Sequence, residues 1–160
     1  MLKIETVLYT SEYIYVKITA PLYWWNNFHE YTNSIVDSFG SFEKELVTKK
    51  FVIDDFSHEH LLSHINNEWK LRGKPPYKNL HETIITLNKC RDEYLKTKDE
   101  KYLQQIIQLL PNSYIQSRNV TLDYRLIIKI YDIYKNHTSG EWFNLCEWMR
   151  RLPYREIILS

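Results

Sequence analysis

The stretch "EYIYVKITA" (residues 12–20) constrains the fold more than any other part of the chain. Ile14, Val16 and Ile18 alternate with Tyr13, Tyr15 and Lys17. A period of two sets the first three on one face of a strand and the others on the opposite face. Such a strand is half-buried, so it needs a neighbouring strand and a layer over its apolar side. The "TSE" turn before it predicts an antiparallel partner in residues 2–9. Pro21 follows directly, and proline suits the first turn of a helix, where its missing N–H costs nothing. The spacing therefore predicts a helix over 21–32, and a small sheet with a helix against it.

Most of the remaining pattern is helical. "DDFSHEHLLSHINNEWKLRG" combines an acidic start with Leu61, Leu62, Ile65 and Trp69, and Gly73 is a natural stop. Leu80, Ile84, Leu87, Arg91 and Tyr94 keep step along "LHETIITLNKCRDEYL". Asp99 can cap "EKYLQQIIQLL", and Asp123 can cap "YRLIIKIYDIYKN". Thr138 and Glu141 stand in capping-box spacing ahead of "EWFNLCEWMRR". "SYIQSRNVTL" carries β-branched and aromatic residues without a helical period and reads as extended. "KFVID" reads as a further short strand. The expectation is one α+β domain over residues 1–160, a small antiparallel sheet packed with five to six helices.

Composition removes several functional classes. Lys and Arg number 21 against 20 Asp and Glu, so the basic excess of a general nucleic-acid binder is absent. Cys90 and Cys146 stand in no metal-ligand spacing and fit reduced thiols. "MLKIETVLYT" has no apolar signal core, and no run approaches the ~20 apolar residues of a membrane span. A cytoplasmic protein is the expectation.

The candidate chemistry is sparse. His60 and His64 lie four residues apart, the spacing at which one helix face offers two imidazoles to a metal. The motif lacks the Glu of H-E-x-x-H, and ordinary surface histidines are the preferred reading. Arg150, Arg151 and Arg155, interleaved with Trp148 and Tyr154, could grip a nucleic acid. Positive charge in a last helical turn also simply complements the helix dipole. Arg125 in a first helical turn, with Gln116 and Arg118 upstream, could hold a phosphate.

Two stretches, "EYIYVKITAPLYWWNNFHEY" and "LLPNSYIQSRNVTLDYRLIIKIYDIYKNHTSGEW", resemble the flavin-dependent thymidylate synthase family. The first is similar to its strand–Ala–Pro–helix opening. The second is similar to its Leu-Pro, extended segment, N-x-R helix start and Q-W-E-type closing helix, here Leu110–Pro111, Asp123-Tyr124-Arg125 and Gly140-Glu141-Trp142. Small phage-encoded relatives of that family share "DDFSHEHL", the "QLLP" helix end and the "LPY" finish. The resemblance implies an α+β fold of that family, usually a homotetramer with sites between subunits. It also implies FAD and reduced nicotinamide used to methylate dUMP from a folate donor.

The family's R-H-R-x2-S-x-N-E-x-S-x-R motif falls on "EYTNSIVDSFGSF". Glu30 and Thr32 stand for its first two arginines, Tyr31 for its histidine, Asp37-Ser38 for its Asn-Glu and Phe42 for its last arginine. A small register shift recovers Ser41 for a motif serine. A dianionic phosphate needs cations and N–H donors, and an acid in the first cationic position repels it. The resemblance thus implies a catalytically degenerate, phage-encoded member that acts by binding. Its ligand would be a host or defence protein such as a CRISPR effector, or a residual nucleotide held by Arg125, Arg118, Gln116 and Ser41. No cofactor is expected; FAD belongs only to the alternative, an active dUMP methyltransferase with rearranged ligands. The chain is expected to form a homo-oligomer, a dimer or tetramer, in the host cytoplasm.

Overall fold

In the computed structural model of the chain, residues 2–31, 36–37, 42–63, 73–138 and 140–153 are described. They form two compact units, one from Met1–Ser38 with Ile115–Ser160 and the other from Phe39–Tyr114. Together they contain a four-stranded sheet and six α-helices, an α+β protein.

The first unit is built on the alternating strand. Strand β1 (Lys3–Tyr9) pairs antiparallel with β2 (Tyr13–Pro21). The turn between them is held by Thr10, whose Oγ1 accepts from the N–H of Tyr13 at 2.8 Å, a local side-chain turn typical of Ser and Thr. Strand β4 (Ile115–Asp123) pairs with the other edge of β2, and two residues of β3 (Val36–Asp37) pair with β4. The order is therefore β1-β2-β4-β3. Ile14, Val16, Ile18 and Ala20 are buried on the inner face, in register with Leu122, Val120, Arg118 and Gln116 of β4. Pro21 is the last residue of β2, and helix α1 (Leu22–Tyr31) starts one residue later than the sequence suggests.

Helix α1 sets Trp24, Trp25 and Phe28 into this core, all essentially fully buried. Trp24 stacks on Phe28 at 4.7 Å, and Trp25 meets Phe28 edge-on at 5.7 Å, the offset and T-shaped arrangements that ring quadrupoles favour. Asp123 ends β4 and caps helix α5 (Tyr124–Tyr134), its Oδ1 accepting from Leu126 N–H at 2.7 Å. Tyr124, Ile127, Ile130 and Tyr131 form the buried stripe of α5, and Leu145, Cys146 and Met149 form that of α6 (Gly140–Met149). Their three-to-four spacing is what confines each helix to one buried face.

The second unit is helical. Helix α3 (Pro76–Thr97) opens on proline at its first position and buries Leu80, Ile84 and Leu87. Lys98 closes it in the left-handed region, φ 55°, and donates its N–H to Tyr94 O. Asp99 then caps α4 (Glu100–Leu109), so two residues reverse the chain. Helix α2 (Phe42–Thr48) lies where the sequence pattern is weakest. Arg91, which keeps step with the apolar stripe of α3, donates to Val47 O at 3.1 Å and so satisfies the carbonyl end of α2, as a cation at a helix C-terminus does well.

Two sequence expectations fail here. "KFVID" forms no strand: Ile53–Asp55 is a single 3-10 turn. Asn88 takes both backbone groups of Phe51, accepting its N–H and donating to its carbonyl, each at 2.9 Å. Asp55 accepts the N–H of Val52 at 2.9 Å. Side chains thus supply what a ladder would have supplied. The helix read from "DDFSHEHLLSH" onward is also absent as far as Ser63, and 64–72 lie outside the described residues. Phe56 instead bridges Tyr114, and Ser57 N–H donates to Ser113 O at 2.8 Å. Phe51 and Phe56 pack around Tyr114 at 6.0 and 5.7 Å. Burial, with Glu45 and Asp55 nearby, pushes the Tyr114 hydroxyl pKa up.

Candidate functional site

The inner face of β4 changes character along its length. Leu122 and Val120 continue the core, but the next two inward positions are Arg118 and Gln116. Helix α1 lies against β2 on this side and presents Trp25 and His29 to both. The Arg118 guanidinium stacks over the Trp25 ring at 4.8 Å. Its Nε and Nη2 donate to Gln116 Oε1 at 2.9 and 2.7 Å, and its Nη1 donates to His29 Nε2 at 2.5 Å. Arginine can only donate, so the His29 Nε2 is an acceptor and the ring is neutral with its proton on Nδ1. Burial, then the Arg118 charge, lowers the His29 pKa from its ordinary value. Trp25 Nε1 completes the arrangement by donating to Gln116 O at 3.0 Å. Gln116 is 7% exposed.

Arg125 is elsewhere. Asp123 lies five residues beyond Arg118 along the strand, about 17 Å at the usual rise, and Arg125 follows in the first turn of α5. It is exposed and lines an open cleft of about 420 Å³ with Ser11, Glu12, Tyr13, Asp123 and Tyr124. Asp123 already accepts one of the free N–H groups of the helix start. Two carboxylates thus share the cleft with one guanidinium. A dianionic phosphate entering it meets Glu12 and Asp123 as well as Arg125, so the local charge opposes it.

The four residues expected around a nucleotide are therefore not gathered in one place. Gln116 and Arg118 bond to each other beneath α1, Arg125 opens to solvent near the hairpin, and Ser41 lies outside the described residues. The arginines near the C-terminus also divide. Arg150 donates to the Tyr131 hydroxyl at 3.0 Å and pairs with Glu147, Arg151 is exposed, and Arg155 lies outside the described residues. His60 is exposed in a turn, not on a helix, and His64 lies outside the described residues. Among the described residues no three His, Cys, Asp or Glu side chains are grouped to hold a metal, and no helix is long and apolar enough to cross a membrane.

Sequence reasoning missed His29 and Trp25 as partners of Arg118, and Ser11, Glu12 and Tyr13 as walls of the cleft. The signal for the first was present. Gln116 and Arg118 sit at the same parity as Val120 and Leu122, which places all four on the covered side of the sheet. The cleft walls come from a hairpin and a strand end over a hundred residues apart, and no local pattern marks them.

No family model matches the chain, and no curated protein matches it in sequence. Solved structures do. Thymidylate synthase X (ThyX) from Helicobacter pylori with FAD and dUMP is similar, with a TM-score of 0.55 and 13% identity over 91% of this chain and 71% of that one. A second structure of the Helicobacter pylori flavin-dependent thymidylate synthase, complexed with FAD and dUMP, gives the same values. At that identity the likeness is one of fold: this chain has a ThyX-like fold.

Proposed function

We propose that this chain is a catalytically inactive binding protein on a ThyX-like fold, and that its partner is a protein. The fate of the cations supports this reading. Arg118 is stacked on Trp25 and bonded to Gln116 and His29, while Arg125 shares its cleft with Glu12 and Asp123. In the segment that resembles the family's nucleotide and flavin motif, Glu30, Thr32 and Phe42 stand where that family carries arginines. A nucleotide phosphate and a flavin pyrophosphate need several convergent cationic or N–H donors. This donor set does not fit either group.

A cleft of mixed charge with a tyrosine wall suits a polypeptide side chain better than a phosphate, since tyrosine and arginine carry much of the energy at protein interfaces. A phage-encoded protein directed at a host or defence protein is the biological form of this reading. The second reading, a working flavin-dependent dUMP methyltransferase, is favoured by the FAD and dUMP present in the similar structures. Purified protein separates them. Inactive protein is expected to be colourless above 400 nm and to show no rise in melting temperature with millimolar dUMP or FAD. Bound flavin, or stabilisation by dUMP that Arg125→Ala abolishes, overturns the proposal in favour of the enzyme or a residual nucleotide site.

A further inference from the structure

Strand β1 is an edge of the sheet, and its outer side is left without a partner strand among the described residues. In an antiparallel ladder the N–H and C=O of each residue face the same side, and successive residues face opposite sides. Pairing with β2 therefore satisfies alternate residues of Lys3–Tyr9, and the others direct both backbone groups outward. No backbone bond joins those groups to any other described residue. None of the seven residues is buried, although Ile4 and Thr6 stand in register with Ile18 and Val16 of the core. Helix α6 meets β1 through Trp148, whose Nε1 donates to Thr6 Oγ1 at 3.4 Å on the core-facing side.

Folded sheets commonly blunt such an edge with proline, an unpaired lysine, an inward charge or a covering loop. Here there is no proline from Lys3 to Tyr9, and Lys3 is held by Glu5 at 2.5 Å. A bulge is present between Thr6 and Leu8, but it does not hide the strand. It turns Leu8 to the outer face beside Tyr15 and leaves Val7, Leu8 and Tyr9 70, 53 and 44% exposed. A row of free N–H and C=O groups is complemented by an extended polypeptide backbone. A second β1 is a poor complement. Antiparallel pairing of two copies about Thr6 would set Ile4, which faces the core, opposite Leu8, which faces out, and would set Lys3 and Glu5 opposite Tyr9 and Val7. Strand β2 shows the pattern that does fit: Tyr15, Lys17 and Thr19 stand across from Leu8, Glu5 and Lys3.

We infer that the free edge of β1 takes up an extended segment of another protein as a further, antiparallel strand of the sheet. Read from its N-terminus, that segment carries an aromatic or apolar residue beside Leu8 and, two residues on, a cation beside Glu5. Main-chain bonds supply most of the affinity and these two side chains the selectivity, the division usual in strand addition. The inference is independent of what the Arg125 cleft binds. A single added strand is a small contact, so the complex is a transient one with a Kd of about 10–100 µM.

The test uses a fluorescein-labelled peptide with the sequence of β2 from Tyr13 to Thr19, YIYVKIT, carrying a polyethylene glycol tail for solubility. Its fluorescence anisotropy is measured against the full chain. Two further peptides carry N-methyl groups on alternate residues, one at odd positions and the other at even positions. Only one set of N–H groups faces β1. One methylated peptide is therefore expected to bind about tenfold more weakly, and the other nearly as well as the parent. Adhesion through side chains would treat the two alike. Glu5→Lys is expected to weaken binding of the parent peptide about threefold, and a peptide with glutamate in place of its lysine is expected to recover it. Where that variant does not fold, the methylated pair on the wild-type chain still decides. Absence of saturable binding up to about 1 mM peptide overturns the inference, as do equal responses to the two methylation patterns. Binding that is indifferent to the Glu5 reversal overturns it too, and so does self-association of the chain that excludes the peptide.

Discussion

At the residue scale, the two adjacent tryptophans of α1 separate burial from satisfaction. Both are buried in the same core, yet Trp25 Nε1 donates to Gln116 O at 3.0 Å while Trp24 Nε1 has no partner among the described residues. An unsatisfied buried donor costs about 1–3 kcal/mol. Trp24→Phe removes that donor and loses some packing, so its net cost is expected within about 1 kcal/mol. Trp25→Phe loses similar packing and also strands a buried carbonyl, so it is expected to cost about 2 kcal/mol more. Urea midpoints of the two variants check this; an equal cost for both would refute it. His29 supplies a pH test. Its folded pKa lies below the ordinary 6.5, through burial first and the Arg118 charge second. Above pH 6.5 the ring is neutral in both states and its stabilisation is complete. As pH falls below 6.5, the unfolded chain takes up the proton first, and stability is lost down through the folded value. His29→Gln keeps an acceptor for Arg118 without titrating. The gap between the wild-type and variant midpoints is therefore expected to narrow or reverse between pH 7.5 and 5; a constant gap would count against the assignment.

At the scale of elements, legibility followed how local the deciding interaction was. The hairpin and the caps of α4 and α5 by Asp99 and Asp123 rest on contacts within a few residues, and the alternation of β2 and the extended character of β4 are written in their own residues, so the sequence pattern finds them. "KFVID" misled because Asn88, thirty-seven residues away, takes both backbone groups of Phe51. The segment after Asp54 misled because Phe56 and Ser57 find partners at Tyr114 and Ser113. In the candidate site, the cation Arg125 was legible as a helix-start residue, whereas the half-buried position of Arg118 beneath α1 required the parity of β4 to be carried across the sheet. Asn88→Ala leaves the Phe51 N–H and carbonyl without protein partners, and is expected to cost about 1–3 kcal/mol. Asn88→Asp keeps the acceptor for Phe51 N–H but sets a carboxylate against its carbonyl, so it is not expected to recover the loss. Denaturant unfolding of both variants against the exposed control Asn79→Ala checks the order.

For the whole molecule, the governing fact is where the chain leaves the sheet and where it comes back. Strand β2 pairs with β4 from Tyr13↔Asp123 to Pro21↔Ile115, so the partners lie 94 to 110 residues apart. The second unit, Phe39–Tyr114, occupies that interval. A pairing of this separation has no local signature, which is why the sequence predicts the strands but not their order. It also sets the folding sequence. The α3–α4 pair closes through two residues, Lys98 and Asp99, and needs only local contacts. The β2–β4 ladder must first close a long loop, whose entropy is lost before any pairing is gained. Helical signal is therefore expected to precede burial of the first unit's tryptophans. Stopped-flow refolding can follow far-UV circular dichroism and tryptophan fluorescence in a Trp69→Phe background, where Trp24, Trp25, Trp142 and Trp148 report only on the first unit. A substantial dichroism phase faster than the fluorescence phase is expected, with Val120→Ala slowing only the second. Superimposed traces with a single rate would mean that the long-range pairing organises both units at once, and that the local helix pair has no head start.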